Sequence, residues 1–291
     1  MSHDPTACRV NEGTPVRLAD WPTRVDPPYG NDDAYRRLLR DRTEALHEMQ
    51  ELLYAHDRYA LLVIFQAMDA AGKDGAIEHV MSGINPQGCQ VFSFKQPSEE
   101  ELDHDFLWRT TRCLPERGRI GIFNRSYYEE VLIVRVHPGI LQSQKLPASE
   151  RADAGIWNSR YRSIIDFEAH VRRNGTRVIK FFLHISRDQQ RKRFLARIDE
   201  PEKNWKFALA DVKERQHWDA YMAAYESCLS ATSTADSPWY VIPADDKKTA
   251  RLLISETIVQ TLRGLGLSYP QVDDARRAEL QLIRAELLAE T

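Results

Sequence analysis

The stretch LLVIFQAMDAAGKDGAIEHV, residues 61–80, changes abruptly from an apolar run to small residues, one lysine and acidic side chains. A loop that binds phosphate needs little side-chain bulk, so that backbone N–H groups can converge, and a helix N-terminus just beyond it. Both demands are met, because the apolar run is typical of a buried strand and GAIEHVM is typical of a helix. Against the pattern G-x-x-x-x-G-K-[ST], Gly72 and Lys73 match, while Ala67 and Asp74 replace the first glycine and the hydroxyl residue. The stretch predicts a degenerate phosphate-binding loop.

An additional carboxylate, Asp69, lies inside this predicted loop. A carboxylate repels phosphate unless a divalent cation lies between them, so Asp69 is predicted to be a metal ligand. The alternative is a tight strand-to-helix turn, with Lys73 in solvent and the aspartates capping the helix. In the phosphate-binding interpretation, the residues that contact phosphate or nucleotide include Ala70, Ala71, Gly72, Lys73, Asp74 and Gly75.

A second strand-like run, in RIGIFNRSYYEEV at residues 119–131, also ends in polar residues. Because ligands of open parallel sheets bind at the carboxyl ends of the strands, Asn124 and Arg125 are expected near Lys73. Asn124 stands where phosphate-loop enzymes commonly carry an aspartate that helps to hold magnesium. Arg125 could bind phosphoryl oxygens bidentately, and the alternative is a structural pair with Glu129 or Glu130.

Five apolar runs indicate the fold class: YALLVIF, CQVFSF, RIGIF, RVIKFFLHI and WYVIPA. They are nearly continuous rather than alternating, as expected of parallel strands that are buried on both faces. Helical segments lie between them, including EEELDHDFLWRTTRCL at residues 99–114, and Asp32 and Asp33 are expected to cap the helix that precedes the first run. We therefore predict a three-layer α/β/α domain around a central five-stranded parallel sheet. The predicted division is an extended arm at 1–30, the α/β domain at 31–270 with a helical lid at about 187–215, and a C-terminal helix at 271–291.

The predicted lid is the basic segment SRDQQRKRFLARIDEPEKNWKFALADVKER, residues 186–215. Arg193 and Arg197 are four residues apart and share a helix face, and Trp205 lies between Lys203 and Lys206 in sequence. The alternative is a solvated helix whose own carboxylates balance its charge. A lid that closes on substrate and excludes water is common among kinases.

Composition excludes several classes of function. The formal net charge is −3 for 291 residues, so bulk electrostatic binding to nucleic acid or to a membrane is not expected. The four cysteines are widely separated, with no metal-site or disulfide spacing, which fits a reduced, cytoplasmic setting. The polar first residues and the lack of an apolar run of about 18 residues predict a soluble protein.

Taken together, five segments resemble the polyphosphate kinase 2 family: DAAGKDG, NPQGCQV, FNRSYYEEV, QQRKRFLARIDEPEKNWKF and PWYVIPADDKKTAR. The resemblance implies a P-loop kinase fold and direct in-line phosphoryl transfer between inorganic polyphosphate and AMP, ADP or ATP, with Mg²⁺ or alternatively Mn²⁺. It resembles the class III branch, which phosphorylates both AMP and ADP, and implies a homo-oligomer, a dimer or tetramer. The implied catalytic residues are Asp69, Lys73, Arg125 and Arg197; the implied additional polyphosphate or nucleotide contacts are Asn124, Arg193, Lys203 and Lys206.

Two other functions stay open at the level of sequence. One is an ATP-dependent nucleoside monophosphate kinase, for which a fuller loop with Ser or Thr in place of Asp74 is expected. The other is a non-catalytic module that binds polyphosphate or nucleotide, for which Ala67 and Asn124 provide grounds.

Overall fold

The structure is a computed structural model that describes residues 4–207 and 209–290, without the side chains of Lys206 and Leu209. In this described part there are five strands: β1 (Ala60–Ala67), β2 (Cys89–Ser93), β3 (Ile120–Asn124), β4 (Thr176–His184) and β5 (Trp239–Pro243). The α-helices are α1 (Asp32–His56), α2 (Lys73–Val80), α3 (Glu99–Leu102), α4 (Trp108–Thr111), α5 (Ile133–Val136), α6 (Pro138–Ser143), α7 (Ala148–Ala152), α8 (Ile156–Arg173), α9 (Arg187–Asp199), α10 (Leu209–Glu214), α11 (Trp218–Thr232), α12 (Lys247–Arg263) and α13 (Asp274–Ala289).

The strands form one parallel sheet in the order β2-β3-β1-β4-β5. β1 lies at its centre, and its residues are buried up to Gln66, which explains why its sequence is an unbroken apolar run. The predicted five-stranded parallel sheet is therefore confirmed. The carboxyl ends of β1 and β3 lie side by side, because Phe65 pairs with Asn124 in the register of the two strands.

Helices cover the sheet in two groups. In one group α12 packs against α1 and α2, and in the other α8 packs against α11 and β4. The buried apolar residues of the strands and helices form one large cluster, so most of the chain surrounds a single core. None of the helices in the described residues combines the length and the apolar character that a bilayer span requires.

Three local features differ from the sequence-based expectations. The helical segment expected around 99–114 is broken into α3 and α4, and Asp105 accepts a hydrogen bond from the backbone N–H of Leu107 in the turn between them. The cap of α1 is Asn31, which accepts from Ala34 N, whereas Asp32 and Asp33 lie in the first turn.

The third difference concerns the N-terminal arm, which packs on the body. Val10, Val16 and Leu18 are buried, and Arg9 forms an antiparallel bridge with Tyr240 of β5. The apolar residues of the arm are too widely spaced to form a periodic pattern, and for that reason the sequence predicts no packed element there.

Candidate active site

The loop between β1 and α2 has the backbone of an anion-binding turn. Ala70 and Gly72 both have positive φ values, 61° and 100°. A left-handed conformation costs a non-glycine residue about 1–2 kcal/mol, so Ala70 needs support from its surroundings. The first hydrogen bond of α2 runs from Ala76 N to Gly72 O, which leaves the N–H groups of the first turn without a partner in the helix. The loop therefore presents a helix N-terminus at the carboxyl edge of the sheet.

Lys73 is the first residue of α2, and its side chain folds back over the loop. Its ammonium donates to the carbonyl of Ala67, the last residue of β1, at 3.2 Å. Burial first, and then the positive charge of Arg125, lower the pKa of Lys73, while the carboxylates of Asp69, Glu129 and Asp74 oppose the shift. An anionic ligand would counteract both causes, so this lysine is suited to phosphate.

The turn after β3 lies next to this loop. Asn124 Nδ2 donates to Asp74 Oδ1 at 2.6 Å, and Arg125 Nη2 lies 3.3 Å from Asp69 Oδ1. Arg125 has a φ of 64°, a second left-handed residue at the edge of the sheet. The structure thus brings together the residues that the sequence placed at the ends of two strands.

Glu129 is a member of this group to which the sequence analysis gave no chemical role. Burial raises the pKa of its carboxyl group, and the charges of Arg125 and Lys73 act in the opposite direction. In the sequence, the available signal for a role at the site was an acidic residue four positions after Arg125. In the structure Glu129 lies on a 3-10 helix. The sequence alone indicates Glu129 only as a structural partner of Arg125.

Arg193 of α9 makes four hydrogen bonds to backbone carbonyls. One guanidinium nitrogen donates to Ala70 O and Ala71 O at 3.0 and 2.7 Å, and the other donates to Ala244 O and Asp245 O at 2.6 and 3.1 Å. Burial lowers its pKa to about 10, despite the nearby carboxylates of Asp245 and Asp246. In this structure Arg193 supports the left-handed Ala70 and joins the loop to the turn after β5.

Basic side chains crowd one side of the loop. A Cβ built on Gly72 would lie 3.6 Å from Arg193 Nη1, and one built on Gly75 would lie 3.6 Å from Arg251 Nη2. Partial desolvation, followed by neighbouring positive charges, lowers the pKa of the exposed Lys247. The side chains that raise the positive charge here, together called the cationic cluster, are Arg193, Arg197, Lys203, Lys247 and Arg251.

Two members of the cationic cluster, Lys247 and Arg251, are not among the site residues predicted from the sequence. Both belong to PWYVIPADDKKTAR, one of the segments that carried the family resemblance. The available signal was a run of basic residues at the start of α12, directly after a strand. Residues at the start of a helix after a parallel strand face the ligand edge of the sheet.

The predicted lid residues are placed as follows. Arg197 pairs with Asp211 at 3.5 Å and lies over the ring of Phe194. Lys203 pairs with Glu200 within the lid, and Trp205 is 78% exposed. The side chain of Lys206 lies outside the described part of the structure.

The opposite side of the loop opens into a cavity of about 250 Å³. Gln190 connects its walls: Nε2 donates to Asp69 O at 2.9 Å, and Oε1 accepts from Arg215 Nη1 at 3.1 Å. The first turn of α9, where the predicted lid begins, is therefore bonded to the β1–α2 loop. Besides Gln190 and Arg215, the polar and aromatic residues of the wall are Asp69, Arg125, Glu129, Asp211, Glu214, Tyr221 and Tyr225.

The residues at the loop fit a magnesium ion that is bound mainly by water and phosphate. Among the described residues there is no group of three His, Cys, Asp or Glu side chains that could hold a metal ion by themselves. Mg²⁺ in kinases needs only one or two carboxylates in addition to substrate phosphates. Asp69, with 34% of its side chain exposed, and Asp74, bonded to Asn124, offer such oxygens beside the loop.

Comparison with known proteins agrees with this geometry. The family model described as polyphosphate kinase 2 matches residues 29–266. The chain is 65% identical over 280 residues to an ADP-polyphosphate phosphotransferase of Rhodopseudomonas palustris, covering 96% of this chain and 97% of that protein. It is 45% identical over 246 residues to an AMP/ADP-polyphosphate phosphotransferase of Meiothermus ruber, covering 84% and 88%.

A solved structure extends the agreement to the fold. The crystal structure of polyphosphate kinase 2 from Arthrobacter aurescens TC1 superposes with a TM-score of 0.86 and 39% sequence identity, covering 97% of each chain. The predicted P-loop kinase-like fold and the family resemblance are both confirmed. The chain belongs to the polyphosphate kinase 2 family.

Proposed function

We propose that this protein transfers the terminal phosphoryl group of inorganic polyphosphate to ADP, and also to AMP, by direct in-line transfer. The observation that carries the proposal is the phosphate loop, with Lys73 and Arg125 at its centre and the cationic cluster along one side. A row of basic side chains suits a long polyanion better than it suits the short triphosphate of a nucleotide. The relatives whose names include ADP-polyphosphate and AMP/ADP-polyphosphate phosphotransferase support the choice of substrates.

Phosphoryl transfer between two phosphates asks the protein for alignment and charge neutralisation. The acceptor oxygen of ADP is already anionic at neutral pH, so a strong general base is not needed. Lys73 and Arg125 neutralise the phosphoryl oxygens, and the N–H groups of the first turn of α2 bind them. We propose that Arg197, the member of the cationic cluster at the end of α9, completes this arrangement.

Asp69 is the proposed ligand of Mg²⁺, with Mn²⁺ as an alternative, and Asp74 with Asn124 is placed to support it. When bound, the metal ion supplies positive charge between the two anionic substrates. In the structure Asp69 is held by Arg125 and by the bond from Gln190 to its carbonyl. These contacts hold the backbone of Asp69 in place and keep its carboxylate beside Arg125.

The first test combines purified protein, Mg²⁺ and long-chain polyphosphate with either ADP or AMP, and follows the nucleotides by chromatography. We expect ATP from ADP, and ADP followed by ATP from AMP. Lys73→Ala should lower kcat/KM by about 10³-fold or more, by analogy with other cations at phosphoryl-transfer sites. Lys192→Ala is the matched control, because Lys192 is an exposed lysine of the same region that pairs with Asp188.

Two outcomes contradict the proposal. Product that forms from AMP only when ATP is the donor indicates an ATP-dependent nucleoside monophosphate kinase. Binding of polyphosphate without turnover indicates a non-catalytic module. The expected homo-oligomer, a dimer or tetramer, and the expected cytoplasmic location stay predictions, and light scattering coupled to size-exclusion chromatography tests the first of them.

A further inference from the structure

A buried ion pair lies in the core behind the phosphate-binding edge. Lys180, in the middle of β4, is 0% exposed, and Glu168 of α8 is 1% exposed. Lys180 Nζ donates to Glu168 Oε2 at 2.6 Å, to the carbonyl of Thr232 at 2.8 Å and to the phenol oxygen of Tyr128 at 3.0 Å. All three ammonium hydrogens thus have a partner inside the protein.

Stability alone is a weak reason for such a pair. Desolvation of two charges offsets most of their attraction, and well-packed apolar residues of similar volume often replace a buried pair without loss of stability. Burial is also the first cause that lowers the pKa of Lys180. The contacts of this pair, which joins β4 to α8, indicate that it holds a neighbouring segment in place.

What it holds is the turn that carries Arg125. The second oxygen of Glu168, Oε1, accepts hydrogen bonds from the hydroxyl groups of Tyr127 and Tyr128, both at 2.8 Å. These tyrosines are 1% and 0% exposed, and they follow Arg125 and Ser126 directly in the chain. Glu168 is therefore an anchor for two consecutive side chains of the phosphate-binding segment.

The backbone of Arg125 depends on anchors of this kind. Its φ of 64° is unusual for a residue with a side chain, and such conformations persist when the surroundings determine them. On the N-terminal side, Arg125 N donates to Phe65 O at 3.0 Å. On the C-terminal side, Ser126 Oγ accepts from Tyr128 N at 3.2 Å, and the two phenols complete the attachment.

We propose that Lys180 and Glu168 are positioning residues, which act through the hydroxyl groups of Tyr127 and Tyr128 to hold Arg125 in its phosphate-binding orientation. The inference rests on the role of Arg125 in the proposed function. Lys180 holds the carboxyl group of Glu168 in place, and Glu168 fixes the two phenols. All four side chains are buried in the core.

The first test removes only the two hydroxyl groups, in Tyr127→Phe/Tyr128→Phe. We expect kcat for ATP formation from ADP and polyphosphate to fall about 10- to 100-fold, since small displacements of a catalytic group cost up to about 10²-fold. KM for both substrates should stay within about threefold, because Lys73 and the cationic cluster are unchanged. Tyr161→Phe is the control: its buried hydroxyl accepts from Arg135 at 2.8 Å, away from the turn, and kcat should stay within about twofold.

The second test is a mutant cycle that combines the charge-free variant Lys180→Met/Glu168→Leu with Tyr127→Phe/Tyr128→Phe and compares their effects on kcat. If the pair acts through the phenols, its removal lowers kcat to a similar extent while Tm is retained, and adding the two Phe substitutions lowers kcat no further. If the fold-losses of kcat caused by the charge-free pair and by the two Phe substitutions multiply in the combined variant, the proposal is overturned. If the charge-free variant does not fold, the tyrosine variant decides alone, and a kcat within twofold of the wild type would overturn it.

Arg125→Ala separates this inference from the proposed function. If Arg125→Ala keeps full activity, the site assignment itself is wrong. If Arg125→Ala is inactive and the tyrosine variants have wild-type kcat, only the positioning role is wrong.

Discussion

Glu129 is a carboxyl group whose burial beside the phosphate loop has a cost in stability. Its carboxyl group lies beside Arg125 and Lys73, yet burial outweighs these cations and raises its pKa. The charged form is therefore disfavoured in the folded protein relative to the unfolded chain. In the window between the ordinary pKa of 4.5 and the raised value, the folded state binds more protons, so this group lowers the free energy of unfolding as pH rises.

Glu129→Gln is accordingly expected to raise Tm at pH 8, because it removes a charge that is costly to bury. The difference in Tm from the wild type should shrink toward zero as pH falls through 4.5, where the carboxyl group of the wild type is protonated in both states. Thermal unfolding at several pH values checks this, with the exposed Glu48→Gln as control. A destabilisation of the same size at every pH would mean that a hydrogen bond, rather than the charge, dominates.

At the scale of residues, the sequence predicts those site residues whose position depends on local backbone geometry. Gly72 and Lys73 stand in a local pattern, and the loop around them can be inferred from small residues between a strand and a helix. Arg193 is different, because its long side chain could reach phosphate or backbone. Only the packing of α9 shows that its donors meet four carbonyls.

Among the elements, α12 contributes more to the site than its sequence suggested. Lys247 and Arg251 lie on its first two turns, and Asp246 caps it through Lys248 N and Thr249 N. Partial desolvation, and then neighbouring positive charges, lower the pKa of Lys247. A polyanion bound along the cationic cluster would favour the charged form of this lysine.

Lys247→Ala should raise KM for polyphosphate about tenfold, since a hydrogen bond to a charged group contributes about 1.5–3 kcal/mol. The effect should diminish at high salt, because ions screen exposed charges. Lys248→Ala is the matched control, as the adjacent lysine pairs with Asp32 of α1, and its KM should change less than twofold. Equal effects of the two substitutions would indicate general electrostatic attraction instead of a specific contact.

The strands were predictable and the short helices were not. Four strands, β1, β3, β4 and β5, are apolar runs because burial on both faces leaves few positions for polar residues. The edge strand β2 has no buried residue. The division of 99–114 into α3 and α4 depends on a turn at Asp105, which competes locally with helix formation. Helices of four residues carry too few positions to show a period.

At the scale of the whole molecule, most of the described chain surrounds the large core, and α13 lies outside that core. α13 has no buried residue, and it exposes Leu280, Leu282, Ile283, Leu287 and Leu288. The expected C-terminal helix at 271–291 thus has the amphipathic composition of a packed helix without a covering surface in the single chain. Its contribution to the stability of the body should be small.

Removal of residues 271–291 is expected to change Tm by less than about 2 °C, because no buried contact of the body is lost. Differential scanning calorimetry at low protein concentration measures this. A drop of about 5 °C or more would show that α13 contributes to the stability of the folded body. The matched control is removal of residues 4–16, which takes away buried Val10 and Val16 and should lower Tm clearly.

The four carbonyl bonds of Arg193 have a consequence for local opening. One side chain ties the β1–α2 loop to the β5–α12 turn, two segments that are far apart in sequence. Amide hydrogens in these two segments should therefore exchange with solvent as one cooperative unit, since neither can open while the guanidinium holds the other. The two segments that flank the proposed phosphate site would then unfold and refold together.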